Sequence, residues 1–254
     1  MSLNVPILFI CYKRFDYVKE TLSKILEFKP NKLYISIDGS RDNNDIQDVI
    51  EVKKTIEELL GDNLFDRSNV YYKIEEENLG CEINIINSIN WVFNKEEEVI
   101  IIEEDVLVTD EFIDFIIKEK DNVIKGEYVC ISKILYDSLG LDSFQFNAHG
   151  WYITKLNWVN TFSIQNIKKD NFMFEKIIKL IYKPSPDAYK ALKYTLEQRH
   201  FHWDENFKHN IFLKNKKILY VPDNSTKHIG LISTNKDDKF TLNETNNIIK
   251  LISN

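Results

Sequence analysis

Glycine, proline and cysteine are all scarce in this chain, at 7, 5 and 3 of 254 residues. The three cysteines, Cys11, Cys81 and Cys130, lie far apart and form no C-x-x-C pair, which argues against a zinc site or a disulfide framework. An odd, sparse count suits a reducing compartment, so a cytoplasmic location is expected. There is no G-x-x-x-x-G-K-[ST] segment, which excludes a P-loop. No G-x-G-x-x-G follows the first predicted strand, which disfavours a dinucleotide site. A G-x-S-x-G elbow is missing too, and the five histidines (His149, His200, His202, His209, His228) form no H-E-x-x-H. His200 and His202 could share one face of a strand as ligands, but read more simply as loop residues.

Basic charge is also in short supply. Lys and Arg number 33 against 40 Asp and Glu, a net charge of −7. A nucleic-acid binder needs a basic stripe to displace counterions, and none is found. Only four of the basic residues are arginines, so the position of each matters. No apolar run approaches the roughly 18–20 residues that span a bilayer. The start, Met1 to Pro6, lacks the basic n-region and the small-residue cleavage site of a signal peptide.

What is present is core material: 43% of residues are hydrophobic and 13% aromatic, too much for a disordered chain. The first half alternates strand and helix. Val5 to Cys11 and Leu33 to Ile37 read as buried strands, and Phe15 to Phe28 carries Val18, Leu22, Ile25 and Leu26 at helical spacing. A helix from about Ile46 to Leu60 is expected to stop at Gly61. Asn69 to Ile74 follows as a third strand. A further helix buries Ile85, Ile86, Ile89, Val92 and Phe93, and a fourth strand, Val99 to Ile102, runs into Glu103-Glu104-Asp105. This order predicts an α/β fold, a Rossmann-like, mostly parallel central sheet flanked by helices, in a single domain over residues 1–254. Ligands of such sheets bind at the carboxyl ends of the strands. Cys11 to Arg14, Asp38 to Arg41 and Glu103 to Asp105 are therefore expected to converge on one cleft.

After Asp105 the pattern loosens. A helix from Asp110 to about Val123 and a short strand near Tyr128 to Ser132 are expected. Further helices are predicted near Phe172 to Tyr182, Asp187 to Glu197 and up to Phe212, with a strand from Lys217 to Val221.

The sharpest local signal is the carboxylate triplet after four β-branched residues. Three adjacent carboxylates repel one another unless a cation or donors satisfy them. Hard oxygen ligands favour magnesium or manganese, which bridge to substrate phosphates. The plainer alternative is a solvated acidic turn, since triplets also occur at Glu75 to Glu77 and Glu96 to Glu98. Those two precede loops or strands, whereas this one follows a buried strand.

Several segments together carry a family resemblance. They are Val5 to Arg14, Ser36-Ile37-Asp38-Gly39, Asn78-Leu79-Gly80-Cys81 and Ile100 to Asp105, in that order and spacing. The chain resembles the GT-A nucleotide-sugar glycosyltransferases, in particular bacterial proteins related to the animal N-acetylglucosaminyltransferase I. His149-Gly150-Trp151, His202-Trp203-Asp204 and Lys227-His228-Ile229-Gly230 resemble later segments of that family, so the likeness spans about residues 5 to 230. The resemblance implies a nucleotide-sugar-binding half (about 1–108) and an acceptor-binding half (about 109–254). It implies that Asp105 ligates a Mn2+ or Mg2+ ion holding the donor diphosphate. By the same resemblance Glu104 would face the ribose or sugar and Glu103 would support the turn. Asp38 would bind base or ribose, and Arg14 would lie near base and phosphates. Asp204 would be the general base, with His149, Gly150, Trp151 and Trp203 lining the acceptor and sugar pocket; by themselves Trp151 and Trp203 read equally as core aromatics. The middle position of the metal motif is Glu104 where the family has Asp, and Ser88 stands where the animal relative has a histidine.

The activity expected is metal-dependent, inverting transfer of a sugar from a UDP-linked donor to a hydroxyl of a glycan or glycoprotein. A sugar-1-phosphate nucleotidyltransferase is the alternative enzyme, although Tyr12 to Asp16 lacks that class's glycine-rich loop. A non-catalytic carbohydrate-binding or scaffold protein with a degenerate transferase fold is the other alternative.

Overall fold

The computed structural model describes residues 3–62, 66–133, 135–136, 142–143, 146–162 and 203–230. Its centre is a seven-stranded sheet. Strand β1 (Ile7–Cys11) pairs in parallel with β2 (Leu33–Ile37) on one side and with β4 (Glu98–Glu103) on the other. Strand β3 (Val70–Ile74) extends the sheet beyond β2, again in parallel. On the far side of β4 lies β9 (Trp151–Thr154), antiparallel to both β4 and β6 (Cys130–Lys133), and β10 (Ile218–Val221) closes that edge parallel to β6. One strand of seven is thus reversed, and the α/β, mostly parallel architecture stands as read from the sequence.

Helices cover both faces, and residue alternation along β1 shows why. Ile7, Phe9 and Cys11 point into one core with α1 (Phe15–Glu27), α2 (Ile46–Asp62) and α4 (Asp110–Ile124). Leu8 and Ile10 point into a second core with α3 (Cys81–Phe93), α5 (Lys155–Thr161) and α6 (Trp203–Leu213). The stripes read from spacing, Val18, Leu22, Ile25 and Leu26 on α1 and Ile85, Ile86, Ile89, Val92 and Phe93 on α3, are the buried ones.

Three details differ from expectation. Helix α2 continues through Gly61 to Asp62, so Gly61 is its penultimate residue and not its stop. Trp151 to Thr154 form strand β9, buried on every residue, so no polar alternation marks it in the sequence. Short strands β5 (Val106–Val108) and β11 (Thr226–His228) pair antiparallel just past the acidic triplet, a long-range pairing that local pattern does not reveal. Two-residue strands β7 (Leu135–Tyr136) and β8 (Asp142–Ser143) form a separate small ribbon. The helices expected near 172–182 and 187–197, and His200 and His202, lie outside the described residues.

Candidate active site

Strand order reverses at β1, since β2 lies on one side of it and β4 on the other. In parallel sheets the crevice outside the strand ends at such a reversal is where ligands bind. Two polar segments leave the sheet there, Tyr12 to Arg14 after β1 and Glu104-Asp105 after β4. They are locked together. The Arg14 guanidinium contacts Glu104 Oε1 through Nε at 2.5 Å and Asp105 Oδ2 through Nη2 at 2.8 Å. The Tyr12 N–H donates to Glu104 Oε2 at 2.7 Å, and the Thr21 hydroxyl donates to the Glu104 carbonyl at 2.7 Å.

Glu104 is only 4% exposed, so its carboxylate serves the β1 loop. The resemblance has Glu104 face the ribose or sugar; here its carboxylate is engaged by the Tyr12 N–H and Arg14. The longer side chain lets Glu104 reach back to the Tyr12 amide, while half-buried Glu103 ends β4. Burial pushes the Glu103 carboxyl up to about 8, and the negative charges of Asp105 and Asp204 add to that push against the pull of Arg14.

Asp105 receives a second partner from the far end of the described chain. Pairing of β11 with β5 sets His228 opposite Val106 and brings its Nε2 to 3.2 Å from Asp105 Oδ2. The Ile229 N–H closes the arrangement on the Asp105 carbonyl at 2.8 Å. Burial alone would raise the Asp105 carboxyl, yet His228 and Arg14 outweigh it and hold it at about 2. Gly230 is required by this closeness, since a Cβ there would stand 2.6 Å from Asp105 Oδ2 and 3.1 Å from His228 Nε2. His149 stacks on His228, with ring centroids 4.3 Å apart and planes 2° from parallel. Desolvation, then the neighbouring His228, lowers the His149 imidazole to about 4. Gly150 follows at φ +81°, and a Cβ there would meet Val108 at 3.1 Å.

Asp204, the second residue of α6, is half-buried and has Lys208 Nζ at 3.5 Å, one turn on. Its negative charge adds to the upward push on the Glu103 carboxyl and the Cys81 thiol.

Three expected site residues do other work. Asp38 is 3% exposed, and its carboxylate accepts four hydrogen bonds: from the N–H groups of Gly39, Leu79 and Gly80 and from Asn78 Nδ2, at 2.9–3.1 Å. It fastens the loop that opens α3. Trp151, with no exposed surface, and Trp203, at 4%, are core side chains. Their rings stack at 5.8 Å, with Phe146 edge-on to both. Neither indole offers a sugar a face.

One group escaped the sequence reading. Asp45 is buried and gathers the Tyr12 hydroxyl at 2.6 Å, Lys13 Nζ at 2.9 Å and Arg41 Nε at 2.7 Å. This brings Arg41 to the mouth of the crevice with its guanidinium 5.8 Å from the Tyr12 ring centre.

Among the described residues no group of three or more His, Cys, Asp or Glu side chains could hold a metal ion by itself. An ion at this rim would draw on Asp105 and His228 and take its other ligands from outside the protein. That donor set fits a hard divalent cation whose shell is completed by phosphate oxygens and water.

No protein-family model matches the chain, and no curated protein matches it. Among solved structures it is similar to mouse xyloside xylosyltransferase 1, at 11% identity and a TM-score of 0.45, over 86% of this chain and 85% of that one. It is also similar to 4-diphosphocytidyl-2C-methyl-D-erythritol synthase of Anaerococcus prevotii, at 10% identity and 0.41, over 86% and 90%. A third is S. aureus TarS 1–349, at 14% identity and 0.41, over 64% and 50%. Among the described residues no helix is long and apolar enough to cross a membrane.

Proposed function

We propose that the protein is a metal-dependent, inverting glycosyltransferase that moves a sugar from a UDP-linked donor to a hydroxyl of a glycan or glycoprotein. One observation carries the reading: Asp105, His228 and Arg14 converge at the β1/β4 reversal, where a mostly parallel sheet takes its ligands.

Asp105 and His228 would hold a Mn2+ or Mg2+ ion together with the donor diphosphate. When bound, that ion supplies positive charge to the diphosphate as it departs. Arg14 holds the Asp105 carboxylate ionised and in place, and adds a second fixed positive charge beside the same phosphates. Asp204 accepts the acceptor hydroxyl's proton as its oxygen bonds to the anomeric carbon. The anomeric carbon–phosphate oxygen bond breaks on the opposite face and leaves its electron pair on the diphosphate. General-base help of this kind is typically about 10²–10⁴-fold.

The test is a thermal-shift screen of UDP and UDP-sugars with and without Mn2+, followed by assay of UDP release. The reading requires stabilisation by UDP that depends on the ion. It also requires Asp204→Asn to keep that stabilisation while losing turnover. No shift with any nucleotide would leave a scaffold role, and full turnover in Asp204→Asn would remove the base.

A further inference from the structure

The first backbone N–H groups of a helix have no partner within it, and the residue that satisfies them fixes where the helix begins. For α6 this partner comes from another helix. The N–H of Trp203, its first residue, donates to Glu82 Oε2 at 2.5 Å, across 121 residues of sequence. Glu82 lies in the first turn of α3, directly after Cys81, which senses the charges of both Glu103 and Asp204.

We infer that Glu82 is the positioning residue for Asp204, an inference that rests on Asp204 being the base. Two fastenings meet at the start of α6. The Trp203 side chain is fixed by its stacking on Trp151 and its edge contact with Phe146. The Trp203 amide is fixed by Glu82. Asp204 is the next residue, so these two points set the direction in which its side chain leaves the helix. The Glu82 bond also ties α6 to α3, whose own start is fastened by Asp38 through Leu79 and Gly80. Asp38, Glu82 and Asp204 thus form a chain of carboxylates in which the first two orient and the last reacts. A carboxylate accepting a backbone N–H forms a charge-assisted bond, stronger than a neutral one. A displacement of about 1 Å in a reacting group can cost on the order of 10²-fold in rate.

The experiment compares Glu82→Ala, Glu82→Gln and Asp204→Asn in the full chain. UDP release from UDP-glucose, UDP-galactose and UDP-N-acetylglucosamine is measured with Mn2+, beside hydrogen exchange at the Trp203 amide. Glu82→Ala is expected to lower kcat about 10–100-fold at unchanged donor KM, and to speed exchange at Trp203. Glu82→Gln keeps an acceptor oxygen and is expected to restore both. Wild-type kcat in Glu82→Ala beside an inactive Asp204→Asn overturns the positioning role alone. So does a Glu82→Gln variant as slow as the alanine one, or a Trp203 amide equally protected in all variants. Full turnover in Asp204→Asn, or no turnover of any donor by the wild type, defeats the base reading and this inference with it.

Discussion

His228 Nε2 stands 3.2 Å from Asp105 Oδ2 although 123 residues separate the two. The β5–β11 ribbon makes the approach, and Gly230 leaves the space for it. His228→Ala removes one of the two ligands proposed for the ion, and Gly230→Ala drives a methyl group against the Asp105 carboxylate. Both are expected to lose most of the Mn2+-dependent stabilisation by UDP, each tenfold loss of affinity being about 1.4 kcal/mol. The clash in Gly230→Ala falls on a carboxylate that Arg14 and His228 hold in place, so the nucleotide-free protein should also lose about 1–3 kcal/mol. Thermal shift with and without Mn2+ separates the two effects. An undiminished UDP response in both variants removes His228 from the site.

The four bonds to Asp38 make it a stability residue. Asp38→Ala strands three backbone N–H donors, one buried at Gly39 and two half-buried at Leu79 and Gly80, and each unsatisfied donor costs about 1–3 kcal/mol where water cannot replace its partner. Some relaxation is expected, so the loss in urea unfolding should be about 2–4 kcal/mol. Asp38→Asn keeps acceptor capacity at one oxygen and should lose less. A change below about 1 kcal/mol for alanine would show that the loop holds without it.

The first half of the molecule was legible because its signals are local. Apolar runs in β1, β2 and β4 and the stripe on α1 depend on neighbours within a few residues, and the sheet rule then located the crevice. The pairing of β11 with β5, by contrast, is a contact between distant segments, and no periodicity in Thr226 to His228 announces it. The protein partners of Glu104 and Asp38 were hidden for a related reason. A carboxylate at a strand end looks the same in sequence whether it meets a ligand or a backbone amide, and only the fold shows the Tyr12, Leu79 and Gly80 N–H groups waiting for them. The tryptophans show the same ambiguity: an aromatic beside glycine or aspartate suits a sugar platform and a core alike.

Asp45 links the crevice mouth to acid stability. Its bond to Arg41, with those to Tyr12 and Lys13, holds its carboxyl well below the usual range despite burial. A depressed folded-state pKa stabilises the fold above the unfolded value, about 4 for Asp, and that contribution is lost as pH falls below it toward the folded value. Asp45→Asn removes this share. The stability gap between wild type and variant should therefore be widest near neutrality and narrow progressively below about pH 4. Urea unfolding at several pH values measures it, and a gap independent of pH would mean that Asp45 does not titrate in this way.

Trp151 tests the assignment of the aromatic cluster to the core. It has no exposed surface and packs against Phe146, Trp158, Trp203 and Phe207. Among the described residues its indole N–H has no hydrogen-bond partner. Trp151→Ala opens a cavity and should cost about 3–5 kcal/mol in urea unfolding. Trp151→Phe loses less volume and also removes an unpaired buried donor, whose relief of about 1–3 kcal/mol offsets part of the lost packing. The phenylalanine variant is therefore expected to stay folded and to keep its response to UDP and Mn2+. Loss of that response in a folded Trp151→Phe protein would return the ring to the ligand site.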